Sequence, residues 1–442
     1  MKQLVADGGQ NGRQKPIRYN SNSRGEMLPP DWQVQMLSFH ECKMRVRFSK
    51  DTLIAVVLLW ICGTGLRLTI LAVPPLLPLI RSDLHLSATA VGLLISLPVA
   101  LFSLAALPGS LLIARLGTLR TLVGGLLIVA LGAALRGVSP NTATLFGATA
   151  IMGCGVAIMQ PSMPVIVRQW LPAHVGFGTA TYSNGLMMGQ LLPTLITLPL
   201  LLPWLHGNWR LSLAMWSVPV ALTAVIVVLL APRPTGTPAQ MNAGNSFSTA
   251  PAKWWPDWRN SLVWRLGIMF GSINAAYFAA NAFLPVYLVD AARPDLVSRA
   301  VTALNFGQLP GSFLLLIFAG RLERRVWPYI AAGSLELVSV LGLVFAIGKW
   351  TVVWAGLLSF CSGSALILGL SLPPLLSAPG DVARTSAAMF TVSYGGAVIV
   401  ALISGAAWDL GGNPRLAFVP IGLCAILLVV SAMVLRHKRE LL

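Results

Sequence analysis

Residues 63–80, GTGLRLTILAVPPLLPLI, place one arginine, Arg67, near the middle of an apolar run that extends from Thr52 to Ile80. A guanidinium keeps its charge at physiological pH, and a charge at the centre of a bilayer costs about 2.5 to 3.5 kcal/mol even on a lenient insertion scale. The sequence therefore allows two interpretations. Arg67 either points into a wet, protein-lined cavity where it meets an anionic ligand or a carboxylate, or it pairs structurally inside a helix bundle.

The composition around this stretch is that of a polytopic membrane protein. Of the 442 residues, 56% are hydrophobic and only 10% are charged, whereas a soluble domain carries about 25% charged residues. The net charge of +17 comes from basic residues that lie between apolar segments, so we expect a lipid bilayer and no nucleic acid as the partner of these charges. The five cysteines form no CxxC pair, and we predict no disulfide framework, no metal site and no cofactor.

The apolar segments predict an all-α membrane protein with twelve transmembrane helices, since a helix needs about 20 residues to cross the hydrocarbon core. The predicted spans are 52–80, 88–113, 120–138, 142–168, 177–203, 211–231, 262–289, 298–320, 326–347, 350–376, 385–407 and 414–436. A stretch rich in Pro, Ser, Thr and Asn separates the first six spans from the last six. The predicted domains are a disordered cytoplasmic extension at 1–50, a six-helix bundle at 51–231, a cytoplasmic linker at 232–261, a second six-helix bundle at 262–436 and a cytoplasmic tail at 437–442.

The distribution of basic residues predicts the orientation. If the N-terminus is cytoplasmic, 23 of the 31 Lys and Arg residues fall on the cytoplasmic side and seven, Arg136 among them, on the opposite side. Positive charge accumulates on the cytoplasmic side of membrane proteins. We therefore predict that both termini are cytoplasmic.

The two halves of the chain resemble each other. Leu77 and Pro78 match Leu284 and Pro285 at an offset of 207 residues. The loops ARLGTLR, with Arg115 and Arg120, and GRLERR, with Arg321, also correspond, and we predict that these arginines belong to loops that change conformation. Parallel repeats of this kind place a substrate site near the midplane between the two halves. The same offset sets Arg67 opposite Asn274.

Polar residues inside the spans are the remaining candidates for a binding site. Asn274, Tyr277 and Asn281 are spaced i, i+3 and i+7 and share one helical face, where they either line a cavity or bond neighbouring helices. Gln160 and Arg168 share a face of span 4, and Tyr394 precedes Gly395 and Gly396 in span 11; a tyrosine there is as often an interfacial anchor. These lists of candidates come from residue type and spacing alone.

Glu336 is the one carboxylate deep in a predicted span. It is a candidate for proton coupling, but protonation or a pair with Arg67 would equally account for it. No nucleotide-binding GxxxxGK[ST] motif occurs, and HExxH, GxSxG and paired catalytic carboxylates are absent. Neither direct use of ATP nor a catalytic role is indicated.

Several segments of the chain resemble a known family. The twelve spans, the central linker and the paired loops look like the major facilitator superfamily, and the chain resembles more narrowly the cyanate permease family, which also contains 2-nitroimidazole transporters. The segments that carry the likeness are GLRLTILAVPPLLPLI, GLLISLPVALFSLAAL, GVAIMQPSMPVIVRQWLP, FGSINAAYFAANAFLPVYL and SGAAWDLGGN. The resemblance implies a monomer in the bacterial inner membrane with two pseudo-symmetric six-helix bundles, and a path lined by spans 1, 4, 7 and 10.

Carried over by position, the resemblance implies that Arg67, Gln160, Arg168, Asn274 and Tyr277 contribute to the path. Glu336 and the Leu68 that follows Arg67 depart from the family pattern. We therefore predict secondary active or facilitative transport of a small anionic or weakly acidic solute by alternating access. The alternatives are an exporter of toxic amphipathic compounds with the same fold and a membrane receptor or sensor that does not transport.

Overall fold

The computed structural model describes residues 50–86, 88–232, 254–345 and 348–437, and every regular element in these ranges is helical. Twelve helical segments in these ranges are long and apolar enough to cross a bilayer, which confirms the predicted all-α membrane fold. Numbered in chain order, spans 1 to 12 are Lys50–Leu84, Ser96–Leu116, Thr118–Gly137, Thr142–Trp170, Val175–Trp204, Trp209–Leu230, Ser261–Asp290, Pro294–Leu322, Trp327–Phe345, Lys349–Leu376, Pro379–Gly411 and Pro414–Leu435. Residues 1–49 of the predicted N-terminal extension, residues 233–253 of the linker and residues 438–442 of the tail lie outside the described residues.

The helices do not coincide with the spans everywhere. Span 2 is part of a longer helix, Ala88–Leu116, and the helix of span 12 extends to His437. Other spans contain more than one helix. The divided spans consist of Lys50–Leu68 and Val73–Leu84 in span 1, Thr142–Met159 and Ser162–Trp170 in span 4, Val175–Ile196, the π-helix Thr197–Leu201 and Leu202–Trp204 in span 5, Trp209–Met215 and Ser217–Leu230 in span 6, Pro294–Phe306 and Gln308–Leu322 in span 8, the 3₁₀-helix Pro379–Asp381 and Val382–Gly411 in span 11, and the 3₁₀-helix Pro414–Ala417 and Phe418–His437 in span 12.

The break in span 1 follows from two prolines. Pro74 and Pro75 have no N–H and cannot donate to the carbonyls four residues earlier, but they are tolerated in the first turn of a helix. The first helix therefore ends at Leu68, and the N–H groups of Ile70 and Leu71 both donate to the carbonyl of Arg67 at 3.1 Å. Arg67 lies in the last turn of this helix, where the helix dipole favours a cation.

Span 4 is interrupted in a similar way at Gln160. Pro164 cannot donate to the carbonyl of Gln160, and the N–H of Met163 donates to it instead at 3.2 Å. The helix that begins at Ser162 ends at Trp170 and carries Arg168 in its last turn. Arg67 and Gln160 thus lie at helix breaks within the membrane-spanning part of the chain.

Close backbone contact fixes span 1 against span 5. A Cβ atom added at Gly185 or Gly189 would collide with the backbone carbonyl oxygen of Trp60 or Thr64. Small residues allow membrane helices to approach each other in this way. Because Trp60 and Thr64 lie within two turns of Arg67, this contact also positions the Arg67 guanidinium.

The first six spans pack against the last six most extensively where span 2 meets span 11 and where span 5 meets span 8. Between spans 2 and 11, the Ser103 hydroxyl donates to the carbonyl of Thr391 and the Thr391 hydroxyl donates to the carbonyl of Ser103, both at 3.0 Å. Between spans 5 and 8, the Asn184 side-chain amide donates to the Ser312 hydroxyl at 3.0 Å. These bonds join the two halves on either side of a central cavity.

Candidate functional site

A cavity of about 640 Å³ lies between the two halves. Its lining is mostly apolar, and Arg67 is the only charged side chain among the described residues that line it. The polar lining residues are Arg67, Ser96, Ser183, Gln190, Asn274, Tyr277, Asn281, Asn305, Gln308 and Ser362. They come from spans 1, 2, 5, 7, 8 and 10, and span 11 adds apolar residues. Among the described residues, none of span 4 lines the cavity. The lining therefore differs from the path implied by the resemblance, which included span 4.

The Arg67 guanidinium is half-buried and has no carboxylate partner within the described ranges. Its Nη2 donates to the hydroxyl of Tyr394 at 3.4 Å, and its Cζ lies 5.5 Å from the centre of the Phe102 ring. A cation over an aromatic face is stabilised by about 0.5 to 2 kcal/mol, which offsets only part of the cost of burial. The arrangement leaves donors of Arg67 available to a solute in the cavity.

Tyr394 contacts Arg67 from outside the lining of the cavity, and Gln160 in turn contacts Tyr394. The Gln160 side-chain amide donates to the Tyr394 hydroxyl at 2.9 Å, and the same hydroxyl accepts from Arg67. The Tyr394 ring packs edge-on against Phe102 at 5.2 Å and also contacts Phe278 and Phe390. The structure therefore brings both predicted residues to Arg67, although neither belongs to the lining of the cavity.

The polar stripe of span 7 does line the cavity and is bonded to its neighbours. The Asn274 amide donates to the Ser393 hydroxyl at 2.7 Å, and the Tyr277 hydroxyl donates to the Asn305 side-chain oxygen at 2.9 Å. The Asn305 amide in turn donates to the side-chain oxygen of Asn281 at 3.1 Å. Span 7 therefore offers both hydrogen-bond donors and acceptors to the cavity that Arg67 lines.

Glu336 is fully buried in span 9 and is separated from the cavity by Ser362. The Ser362 hydroxyl, which lines the cavity, donates to Glu336 Oε1 at 2.6 Å. Glu336 Oε2 is buried without a hydrogen-bond partner among the described residues. The hydrogen-bond partner of Glu336 is thus Ser362 rather than Arg67.

The cavity is closed on the side where spans 4 and 10 end. Arg168 Nη1 donates to the carbonyls of Pro374 and Ser377, each at 2.6 Å. Span 10 ends at Leu376, so these carbonyls belong to the end of a helix, where carbonyl groups lack partners and the dipole is negative. Arg168 therefore binds the C-terminus of span 10 from the opposite half of the molecule.

A second contact closes the same side. Glu323, which directly follows span 8, is buried and lies against Gly176 at the start of span 5. Burial raises the pKa of its carboxyl group to about 7, more than the Arg324 guanidinium and the Gly176 N–H lower it. The loop arginines Arg115, Arg120 and Arg321 are exposed on the same side.

Sequence reasoning missed several residues of this site. Asn305 and Gln308 are spaced i, i+3 within span 8, and this polar pair in an apolar helix was a usable signal. Glu323 lies in the GRLERR loop but was not distinguished from its basic neighbours. The contact of Phe102 with Arg67 has no local signal, because it depends on how spans 1, 2 and 11 pack.

A central cavity between two packed halves, with one side closed by contacts between them, defines a polytopic membrane transporter. A model of the Major Facilitator Superfamily matches residues 59–297, which is more than half of the chain. The protein belongs to the Major Facilitator Superfamily, as its resemblance to this group predicted.

Known relatives and solved structures agree with this assignment. The chain is 27% identical to the cyanate transport protein CynX of Escherichia coli over 85% of this chain and 95% of that protein. It is 24% identical to the 2-nitroimidazole transporter of Escherichia coli over 89% of this chain and 98% of that protein. The fold is similar to the transporter FucP in the outward conformation, with a TM-score of 0.64 at 17% identity over 86% and 98% of the two chains. It is also similar to the human organic anion transporter MFSD10, with a TM-score of 0.63 at 15% identity over 87% and 100%.

Proposed function

We propose that this protein moves a small anionic or weakly acidic solute across the membrane by alternating access. The observation that carries the proposal is the position of Arg67, a permanent cation that lines the central cavity without a carboxylate partner among the described residues. An uncompensated guanidinium at membrane depth attracts a solute of opposite charge. Its planar fork also suits two parallel hydrogen bonds to a planar anion.

The remaining polar residues set the shape and hydrogen-bond pattern of the site. Asn274, Tyr277 and Asn281 line the same cavity as Arg67, and their amide and hydroxyl groups supply donors and acceptors. Tyr394 acts through Arg67, because its hydroxyl accepts from the guanidinium, and Gln160 acts through Tyr394. Neither residue lines the cavity itself. Cyanate, named for one relative, is a small linear anion, and 2-nitroimidazole, named for another, is a planar weak acid, so both fall within the class of solutes that we propose.

The size of the cavity favours a closure step around the solute. A volume of about 640 Å³ corresponds to roughly twenty water molecules at about 30 Å³ each, far more than a three-atom anion occupies. A small solute in this cavity contacts Arg67 but not all of the polar residues at once. Closure of the two halves would bring them together, so that the solute itself favours the change of state.

The orientation we propose follows from the positive-inside rule. The closed side carries Arg115, Arg120 and Arg321, and we assign it to the cytoplasm together with both termini. The lining residues extend from mid-span toward the other side, since Ser96 and Asn281 belong to the outer halves of spans 2 and 7. The conformation described here is then the outward-facing one.

Glu336 is the group we propose for proton coupling. The Ser362 hydroxyl connects its carboxyl group to the cavity, and a proton that enters with the solute could be held there. Replacement of Glu336 by Gln should leave downhill counterflow intact and remove the response of uptake to an imposed pH gradient. If Glu336→Gln responds to the gradient as the unmodified protein does, transport does not use this residue.

The proposal is tested by uptake into proteoliposomes. A thermal-shift screen of cyanate, nitrate, thiocyanate and 2-nitroimidazole first selects the solute, because a ligand that binds the folded state stabilises it. We expect Arg67→Gln to abolish uptake of this solute, and Arg67→Lys to lose less if charge alone matters. Arg81→Gln, at an exposed arginine, is the matched control. Full uptake by Arg67→Gln would refute the proposal.

Export of an amphipathic compound is the second candidate. Its supporting observation is the large, mostly apolar lining, which includes the ring of Phe278. A broad pocket of this kind accepts lipophilic molecules through burial of apolar surface. Under this alternative, Phe278→Ala would impair transport more than Arg67→Gln, which reverses the order expected for an anion carrier.

A further inference from the structure

A second arginine, Arg136, is buried in the first half of the molecule. In the predicted topology Arg136 belongs to the side opposite the cytoplasm, and the structure places it in the last turn of span 3. Its side chain is 1% exposed and reaches back between spans 1 and 4. An arginine at a helix end normally extends toward the headgroups. Arg136 therefore bears a cost that its surroundings must offset.

The partners of Arg136 supply no negative charge. Nη2 donates to the carbonyl of Thr69 at 2.9 Å, and Nη1 contacts the Met152 sulfur at 2.8 Å. Nε is buried and has no hydrogen-bond partner in the described ranges, and no described carboxylate forms an ion pair with this residue. A buried charge without a counter-charge is strongly destabilising.

A small cavity lies beside the guanidinium. Its volume is about 50 Å³, and among the described residues that line it Arg136 is the only charged one. One water molecule accounts for about 30 Å³ in the liquid, so the space holds one small ion but not a larger solute. Thr149 also lines this cavity, and Ile70 and Leu71 separate it from the central cavity because they line both.

From the buried cation, its unpaired donor and the adjoining cavity, we infer that Arg136 binds one small monovalent anion of the halide class. The ion would supply the missing counter-charge and accept from the guanidinium. Because Arg136 also binds the carbonyl of Thr69, the first residue of the break in span 1, the anion would stabilise this break and with it the position of Arg67. The site is separate from the proposed solute site and does not depend on the proposed function.

The test is thermal unfolding of the purified full-length protein in sodium chloride and in sodium gluconate at equal ionic strength. Gluconate is too large for the cavity. We expect chloride to raise the midpoint of unfolding saturably, by about 2 to 4 °C once the site is filled. Arg136→Gln should abolish the difference between the salts, whereas Arg67→Gln should keep it.

A second variant covers the case in which Arg136→Gln does not fold. Val73→Leu adds a methylene group to the wall of the small cavity and keeps the guanidinium, so it should reduce the response to chloride. A bromide derivative should show anomalous density beside Arg136. Equal midpoints in the two salts, or a chloride effect that is lost in Arg67→Gln and kept in Val73→Leu, would overturn the inference.

Discussion

Loss of Arg168 should open the closed side of the protein. One nitrogen of its guanidinium donates to two carbonyls at the end of span 10. A hydrogen bond to a charged group contributes about 1.5 to 3 kcal/mol. Both bonds share one donor nitrogen and the side chain is half-buried, so we assign about 3 kcal/mol to the pair. Because these bonds must break when the halves separate, Arg168→Gln should shift the ratio of open to closed molecules by about 150-fold.

The assay measures distances between spin labels on the closed side. Labels at the exposed residues Pro172 and Ala378, in a background without other reactive thiols, report the separation of spans 4 and 11. Arg168→Gln should populate a longer distance that is nearly absent in the unmodified protein. Arg259→Gln, at an exposed arginine before span 7, is the control and should show no change. An unchanged distance distribution in Arg168→Gln would show that the bonds from Arg168 to span 10 do not keep this side closed.

Three further predictions concern the closed side, the helix packing and the support of Arg67. Burial raises the pKa of Glu323 from 4.5 to about 7 in the closed state. The contact between Glu323 and Gly176 is therefore most stable below pH 4.5 and weakens as the pH rises through 7. Glu323→Gln should remove the pH dependence of the spin-label distances. Gly185→Leu should lower the free energy of unfolding, measured by thermal denaturation, by about 1 to 3 kcal/mol, because the new side chain would collide with the backbone of Trp60. Gly124→Leu is the control and should have little effect, because a side chain there enters open space. Tyr394→Phe keeps the ring but removes the hydroxyl that accepts from two side chains, so solute uptake should fall about tenfold. Tyr287→Phe is the control and should transport normally, because Tyr287 does not line the cavity and its hydroxyl donates to the carbonyl of Val344.

The fold and the central charge of the site were predictable because both rest on strong local signals. Twelve runs of apolar residues are visible without any knowledge of packing, and the helices confirm them. Arg67 was identifiable because a charge inside an apolar run is costly wherever the helix points. The spacing of Asn274, Tyr277 and Asn281 likewise gives one face of one helix, whatever its neighbours are.

The rest of the site depends on contacts between helices that are distant in sequence. Hydropathy does not show whether the side chain of an arginine in the last turn of a span extends toward the headgroups or folds back into the protein. The burial of Arg136 could therefore not be predicted from the sequence. Gln160 and Tyr394 were identified by residue type, but their role behind Arg67 appears only when spans 1, 4 and 11 are packed together. The burial of Glu323 has the same origin.

Equilibrium binding of the solute selected by thermal shift tests the central claim most directly. We expect the unmodified protein and Arg81→Gln to bind this solute equally, and Arg67→Gln to bind at least tenfold more weakly while it unfolds at a similar temperature. The same affinity in Arg67→Gln and the unmodified protein would contradict the assignment of Arg67 as the group that binds the anion.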